Sequence, residues 1–316
     1  MPELRKDYLL DRWVIISEKR GERPRQFKKV DVVEEPQACF FCPGNEESTP
    51  KEIGRVEENG KWKIRWFPNK FPAVAEYQKL EQKKSGLLHS LNAHGYQEVI
   101  VETPDHTKQL WDLSKEEIAK VLKVYALRMK ELSKKKDVGY VSIFKNHGRE
   151  GGTSIIHTHT QVIAYPLVPS LIKEELAAVK KHKSCPYCRI IKDEGGSERF
   201  VFENKSFIAF CPYASRYNYE VWIFPVKHVK NITDLNDAQQ KDLAEILLKI
   251  LVKLKEMNCS FNYFLHYSPK KDNLHFHIEI TPRIAVWAGF EIATNCIINS
   301  VSPESAALFY RGKNLS

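Results

Sequence analysis

The stretch Gln97-Glu-Val-Ile-Val-Glu-Thr-Pro-Asp-His106 is answered by Tyr219-Glu-Val-Trp-Ile-Phe-Pro-Val-Lys-His228, and this echo decides how the chain is read. Each is an apolar, strand-like run that stops at a histidine. Upstream of each run stands a Cys-x-x-Cys pair, Cys39-Phe-Phe-Cys42 and Cys185-Pro-Tyr-Cys188. Between pair and run lie Arg65-Trp-Phe-Pro-Asn-Lys-Phe71 and Phe200-Val-Phe-Glu-Asn-Lys-Ser-Phe207, both with Asn-Lys and aromatic residues. Downstream, Ser114 with Glu117 and Asn236 with Gln239 form capping signals that start a helix. Apolar residues then recur at helical spacing: Ile118, Val121, Leu122 and Tyr125 in the first, Leu243, Ile246, Leu247 and Ile250 in the second. These helices are expected to end near Leu132 and Met257. Each half closes on a β-rich run, Val141–Asn146 or Phe261–Tyr267, that leads into His157-Thr-His159 or His275-Phe-His277.

Such a repeat predicts an α+β fold of two half-barrel domains, each an antiparallel sheet covered by a helix, packed pseudo-symmetrically. The expected division is 1–168 and 169–316, with a short helical stretch inside Pro166–Ser184. The length of 316 residues and the hydrophobic share of 42% suffice for one large core or two of roughly 150 residues each.

The net charge of +9 is a surplus of lysine over a generally charged surface, 49 Lys plus Arg against 40 Asp plus Glu. Lys134-Lys135-Lys136 and Lys180-Lys181 fall in segments of helical periodicity with no interleaved aromatics. No nucleic-acid partner is therefore expected, and the charge suits attraction of small phosphorylated substrates. No apolar run reaches the length of about 18 residues that a membrane span needs, and no secretory pattern opens the chain, so the expectation is a cytoplasmic protein with no membrane partner. Of seven cysteines, the two pairs read as metal thiolates, and Cys211, Cys259 and Cys296 as small buried hydrophobes.

Zinc takes four N or S ligands in a tetrahedron, and each half offers such a set. The first is Cys39, Cys42, His106 and His157. The second is Cys185, Cys188, His228 and His275, with His277 the less favoured choice for the fourth place. Four protein ligands leave no open position, so both ions are expected to be structural.

Alternation along a strand puts both histidines of His-x-His on one face, which leaves His159 and His277 as the free imidazoles. Their surroundings differ. Gln161 follows His159 on the same face and can donate to a phosphoryl oxygen, whereas Glu279 follows His277 and repels one. Asn146-His-Gly148-Arg-Glu-Gly151-Gly152-Thr153-Ser154 supplies a loop whose backbone N–H groups and serine hydroxyl can approach an anion. The expected nucleophile is His159, attacking phosphorus and forming a covalent intermediate in a ping-pong reaction.

Asn146, Gly152, Ser154, His157, His159 and Gln161 together resemble the active-site signature of galactose-1-phosphate uridylyltransferases, a branch of the histidine triad superfamily. The likeness runs along nearly the whole chain, through Arg20-Gly-Glu-Arg23-Pro24, Cys39-x-x-Cys42-Pro-Gly-Asn45, Asn69-Lys-Phe71-Pro, Pro104-Asp-His106, Pro225-x-x-His228, His275-x-His277 and Gly289-Phe-Glu291. The resemblance implies histidine-triad-like domains in which His159 would attack UDP-glucose, release glucose 1-phosphate and pass the uridylyl group to galactose 1-phosphate. It further implies that Gln161, Asn146, Gly152 and Ser154 hold phosphoryl oxygens, Asn69 and Phe71 the nucleoside, and Phe290 and Glu291 the hexose. Arg20 and Arg23 would reach phosphates, in a homodimer with shared sites.

Three features depart from the uridylyltransferase pattern. Thr158 stands where the family commonly has proline, and Lys70 where an acidic residue near the ribose is common. His157-Thr-His-Thr-Gln161 and the run from Gly289 to Asn299 are also similar to ADP-glucose phosphorylases, which form an adenylyl-histidine and pass it to phosphate; the second cysteine pair points the same way. The sequence is accordingly read as a hexose-1-phosphate uridylyltransferase, with ADP-glucose phosphorylase its rival on the same scaffold. A histidine triad nucleotide hydrolase is a further alternative, disfavoured because Gln161 stands where such hydrolases usually carry another histidine.

Overall fold

The protein is described by a computed structural model covering residues 2–18, 39–269 and 272–312, so Arg20 and Arg23 lie outside the described residues. The chain opens with β1 (Glu3–Lys6) and β2 (Trp13–Ile16). The first half continues through β3 (Gly54–Glu58), β4 (Lys61–Pro68), an outlying hairpin of β5 (Gln82–Ser85) and β6 (Leu88–Leu91), β7 (Tyr96–Val101), α1 (Lys115–Leu132), β8 (Tyr140–His147) and β9 (His159–Tyr165). Helices α2 (Ser170–Val179) and α3 (Pro186–Glu194) lead into the second half. That half contains β10 (Phe200–Glu203), β11 (Phe207–Phe210), β12 (Val221–Pro225), α4 (Asp237–Glu256), β13 (Phe261–His266) and β14 (His277–Pro282). The last elements are α5 (Gly289–Thr294), β15 (Ile297–Asn299) and α6 (Pro303–Tyr310).

The two halves share one antiparallel sheet of ten strands, ordered β10-β11-β12-β14-β13-β8-β9-β7-β4-β3. Read outward from its centre, the order is the same on both sides. The join is the antiparallel pair β8 and β13, with Asn146 opposite Asn262 and Phe144 opposite Phe264. The structure is α+β, and its half-sheets are fused edge to edge.

Helices α1 and α4 cover one face of this sheet. Ser114 caps the first by accepting from Glu117 N, with the Glu117 carboxylate returning to Ser114 N, and Asn236 with Gln239 does the same for the second. The eight apolar positions read from their periodicity are all at most 1% exposed. Burial of each such side chain stabilises by roughly 1.5–3 kcal/mol. The ion pairs around the two helices, Lys123 with Asp237 and Lys255 with Asp112, are partly exposed and contribute at most about 1 kcal/mol each. Apolar packing is what holds the helices down.

Strands β7 and β12 end at Val101 and Pro225, short of the histidines to which the sequence reading carried them, so His106 and His228 sit in loops beyond the sheet. Residues 2–18, grouped with the first half by the sequence reading, pack on the second. There β2 pairs with β15 in parallel, Arg5 bonds Glu304 at 2.9 Å, and the Tyr8 hydroxyl donates to Glu194 at 2.7 Å. Cys211 and Cys259 are buried, but Cys296, expected to be buried, is half-exposed between α5 and β15. Among the described residues no helix is long and apolar enough to cross a membrane.

Candidate functional site

His159 opens β9, and alternation along this strand sorts its side chains: Thr160, Val162 and Ala164 point into the helix-covered core, while His159 and Gln161 take the opposite face. The ring is held by its own backbone, with Nδ1 2.8 Å from the His157 carbonyl oxygen. Nδ1–H therefore donates there, and Nε2 keeps its lone pair. Burial, assisted by the nearby Lys145 charge, pushes this imidazole down to about 4, so it is neutral near pH 7. Phe41, inside the first Cys-x-x-Cys loop, lies edge-on to it at 5.3 Å.

A cavity of about 710 Å³ opens over this residue, lined by Asn146, His147, Arg149, Ser154, His157 and His159 among others. Two amides beside it are oriented by partners. Gln97 donates to Gln161 Oε1 at 3.0 Å, and among the described residues the Gln161 amino group has no acceptor and can donate. Asn262, from the second half, donates to Asn146 Oδ1 at 2.9 Å and to the Gly151 carbonyl at 2.7 Å, and among the described residues the Asn146 amino group has no acceptor. The loop's own N–H groups behave differently from the sequence expectation. Gly151 and Thr153 donate to the Gly148 carbonyl and Gly152 to that of Arg149, so these groups are spent on the turn. Gly152 takes φ +82° there, a region side chains disfavour, and Ser154 follows it into the cavity wall.

Asn69 adjoins Gln97 through a 2.7 Å backbone bond, and its side chain accepts from Phe71 N at 2.9 Å. Phe71 is 83% exposed. Phe290 and Glu291 lie on α5, where the Glu291 carboxylate accepts from Ala288 N; neither lines the His159 cavity.

Beneath His159, on the core side of the sheet, a buried polar network is complete. Lys145 Nζ donates to Glu102 Oε2 at 2.5 Å, Thr158 Oγ1 at 2.8 Å and the His159 carbonyl at 3.0 Å. Glu102 also accepts from Tyr125, Thr158 and Thr160. Burial opposes the Glu102 charge, but Lys145 and these donors outweigh it and hold the carboxyl below its usual range. The sequence reading passed over Lys145, Glu102, Gln97 and Asn262, because cross-strand neighbours follow from register and not from spacing along the chain.

Cys39, Cys42, His106 and His157 converge, as do Cys185, Cys188, His228 and His275, with their ligand atoms within 4.8 Å of one another. Bonds to zinc of about 2.3 Å from sulfur and 2.0–2.1 Å from nitrogen, at tetrahedral angles, imply S···N separations near 3.5 Å. Three S···N pairs in the first cluster are 3.4 to 3.6 Å apart and three in the second 3.6 to 3.9 Å. The donor sets fit a tetrahedral ion, and every histidine offers Nδ1. The opposite nitrogen of His157 meets the Thr103 carbonyl at 2.7 Å and that of His275 the Pro225 carbonyl at 3.0 Å, which fixes both rings.

His277 belongs to neither cluster. It is fully buried, stacked on Phe224 at 4.6 Å, and its Nε2 faces Glu279 at 3.4 Å. With Glu175 and His266 these two form a third group that could hold a metal ion, one the sequence reading missed because Glu175 comes from α2 with no motif around it.

Comparisons with known proteins show the family. Residues 1–169 match the family described as galactose-1-phosphate uridyl transferase, N-terminal domain, and residues 97–307 match a domain of unknown function, DUF4921. An ADP-glucose phosphorylase of Arabidopsis thaliana is 33% identical over all of this chain and 94% of its own length. A galactose-1-phosphate uridylyltransferase of Thermotoga maritima is 30% identical over 97% of each chain. Among solved structures, an ADP-glucose phosphorylase from Arabidopsis thaliana with bound ADP-glucose superposes over the full length of both chains with a TM-score of 0.86 and 30% identity. These relatives are enzymes of the nucleotidyltransferase kind, and the chain belongs to the galactose-1-phosphate uridyl transferase family.

Proposed function

We propose that the enzyme moves a nucleoside monophosphate from a nucleotide sugar to a sugar 1-phosphate, carrying it on His159. The observation behind this reading is the free Nε2 of a neutral, backbone-anchored imidazole beside two amide donors. Nε2 attacks the α-phosphorus of UDP-glucose; the N–P bond forms as the bond to glucose 1-phosphate breaks. The cationic nucleotidyl-imidazole keeps its Nδ1–H on the His157 carbonyl. Galactose 1-phosphate then attacks through a phosphate oxygen, the N–P bond breaks, and UDP-galactose leaves. The amino groups of Gln161 and Asn146 donate to the phosphoryl oxygens as charge builds on them, and Arg149 adds a positive charge at the cavity wall.

A second reading, in which ADP-glucose forms an adenylyl-histidine discharged by inorganic phosphate, is favoured by the full-length similarity to the Arabidopsis phosphorylase. Both readings place zinc in the two Cys-x-x-Cys clusters, with a structural role only. In both, Phe290 and Glu291 would hold the hexose, and Arg20 and Arg23 would reach phosphates across a homodimer with shared sites. Cysteine pairs that serve as metal ligands suit the reducing cytoplasm.

Intact-protein mass after separate incubation with UDP-glucose and ADP-glucose tests the proposal. A UMP-sized adduct on His159 discharged by galactose 1-phosphate supports the uridylyltransferase; an AMP-sized adduct discharged by phosphate supports the phosphorylase. No adduct from either overturns both.

A further inference from the structure

We infer that the buried pair Lys145–Glu102 is a positioning device for the nucleophile, clamping the segment from Thr158 to His159 from the core side of the sheet. The inference rests on His159 as the nucleophile. Lys145 and Glu102 are 1% and 0% exposed, and the ammonium's three donors all have acceptors, one of them the carbonyl of His159 itself. Thr158 is held twice, accepting from Lys145 and donating to Glu102 at 2.7 Å. On its other side, His157 is tied to the first Cys-x-x-Cys cluster and to the Thr103 carbonyl. Three consecutive residues are thus fixed from both faces, and the imidazole has little freedom left to swing.

Stability does not explain the pair. Two charges taken out of water lose about as much hydration as their attraction returns, and apolar replacements of such pairs are often neutral or stabilising. The protein contains its own comparison. Strand register makes Glu102, Lys145, Thr158 and Thr160 equivalent to Pro225, Leu265, Phe276 and Ile278 in the second half. Counting from the caps Ser114 and Asn236, Tyr125 is equivalent to Leu247. All five counterparts are buried. The same framework is therefore filled by apolar side chains in the half whose histidine is sealed, and by a charged network in the half whose histidine faces a cavity. Folding of this unit does not require the charges.

The test is single-turnover formation of the nucleotidyl adduct, read by intact mass, in Lys145→Met/Glu102→Gln, which removes both charges together and strands neither. The expected result is a protein with unchanged metal content and thermal midpoint, and an unchanged concentration of nucleotide sugar at half-maximal rate. Its adduct should form about 100-fold more slowly, the cost of a displacement on the order of 1 Å at the reacting atom. A rate within about threefold of the unaltered enzyme overturns the inference. Should the double variant fail to fold, Thr158→Val decides, because it keeps both charges and loses only the hydroxyl bonds. A drop of about tenfold supports the clamp, and an unchanged rate overturns it. An unaltered enzyme that forms no adduct from UDP-glucose or ADP-glucose removes the nucleophile and this inference together; a normal enzyme beside a normal variant removes the inference alone.

Discussion

His159 and His277 stand in the same motif, at the same point of equivalent strands, yet they are differently placed for chemistry. Each donates from Nδ1 to the carbonyl two residues back. The difference lies in the next layer of side chains: Gln97 and Gln161 flank the first histidine, while Glu220 and Glu279 hold the corresponding places beside the second. Amides can present N–H groups to an anion; the Glu279 carboxylate cannot, and the Glu220 oxygens are already taken by Arg216 N, Tyr217 N and Trp222 Nε1. His159→Ala is therefore expected to abolish adduct formation while leaving circular dichroism and metal content intact. His277→Ala is expected to leave the adduct on His159, although loss of a fully buried ring costs stability; recovering the adduct on His277 would reverse the choice of active half. Alternation alone made His159 and Gln161 legible, since a strand needs no partner to define its faces. Gln97 and Asn262, which aim the amides, became visible only once β7 and β13 were in register beside β9 and β8.

Helices α1 and α4 were readable almost to the residue, because a capping box fixes a start and apolar periodicity carries the face along. Ser114→Ala and Asn236→Ala should each lower the unfolding free energy by about 1 kcal/mol in urea titrations, since each removes the acceptor for one orphan N–H of the first turn. Neutralising Lys123, an exposed partner of Asp237, should change it by no more than about 0.5 kcal/mol. Strand ends were less legible. The runs were carried through to His106 and His228, but Glu102-Thr-Pro-Asp105 and Pro225-Val-Lys227 turn polar or proline-bearing at the last ladder bonds, and that signal was passed over. That the sheet passes unbroken from β8 to β13 was also hidden, because edge pairing between repeats leaves no motif.

At the scale of the molecule, the two Cys-x-x-Cys clusters bring loops together beside opposite halves of one sheet. The first gathers the 39–42 loop, the His106 loop and His157 beside the strand that opens with His159. Chelation under mild denaturant should release about two zinc equivalents per chain, lower the thermal midpoint and slow adduct formation, and re-addition of zinc should restore all three. Release of no metal, or an unaffected rate, would count against a structural role for these clusters. The parallel pairing of β2 with β15 carries a separate consequence. Segments nearly three hundred residues apart complete one three-stranded ladder on the second half. They can then open only as a unit, so the backbone amides of Val14 to Ile16 and Ile297 to Asn299 should trade hydrogen for deuterium at a common rate, while those of β7 and β9 around His159 stay protected.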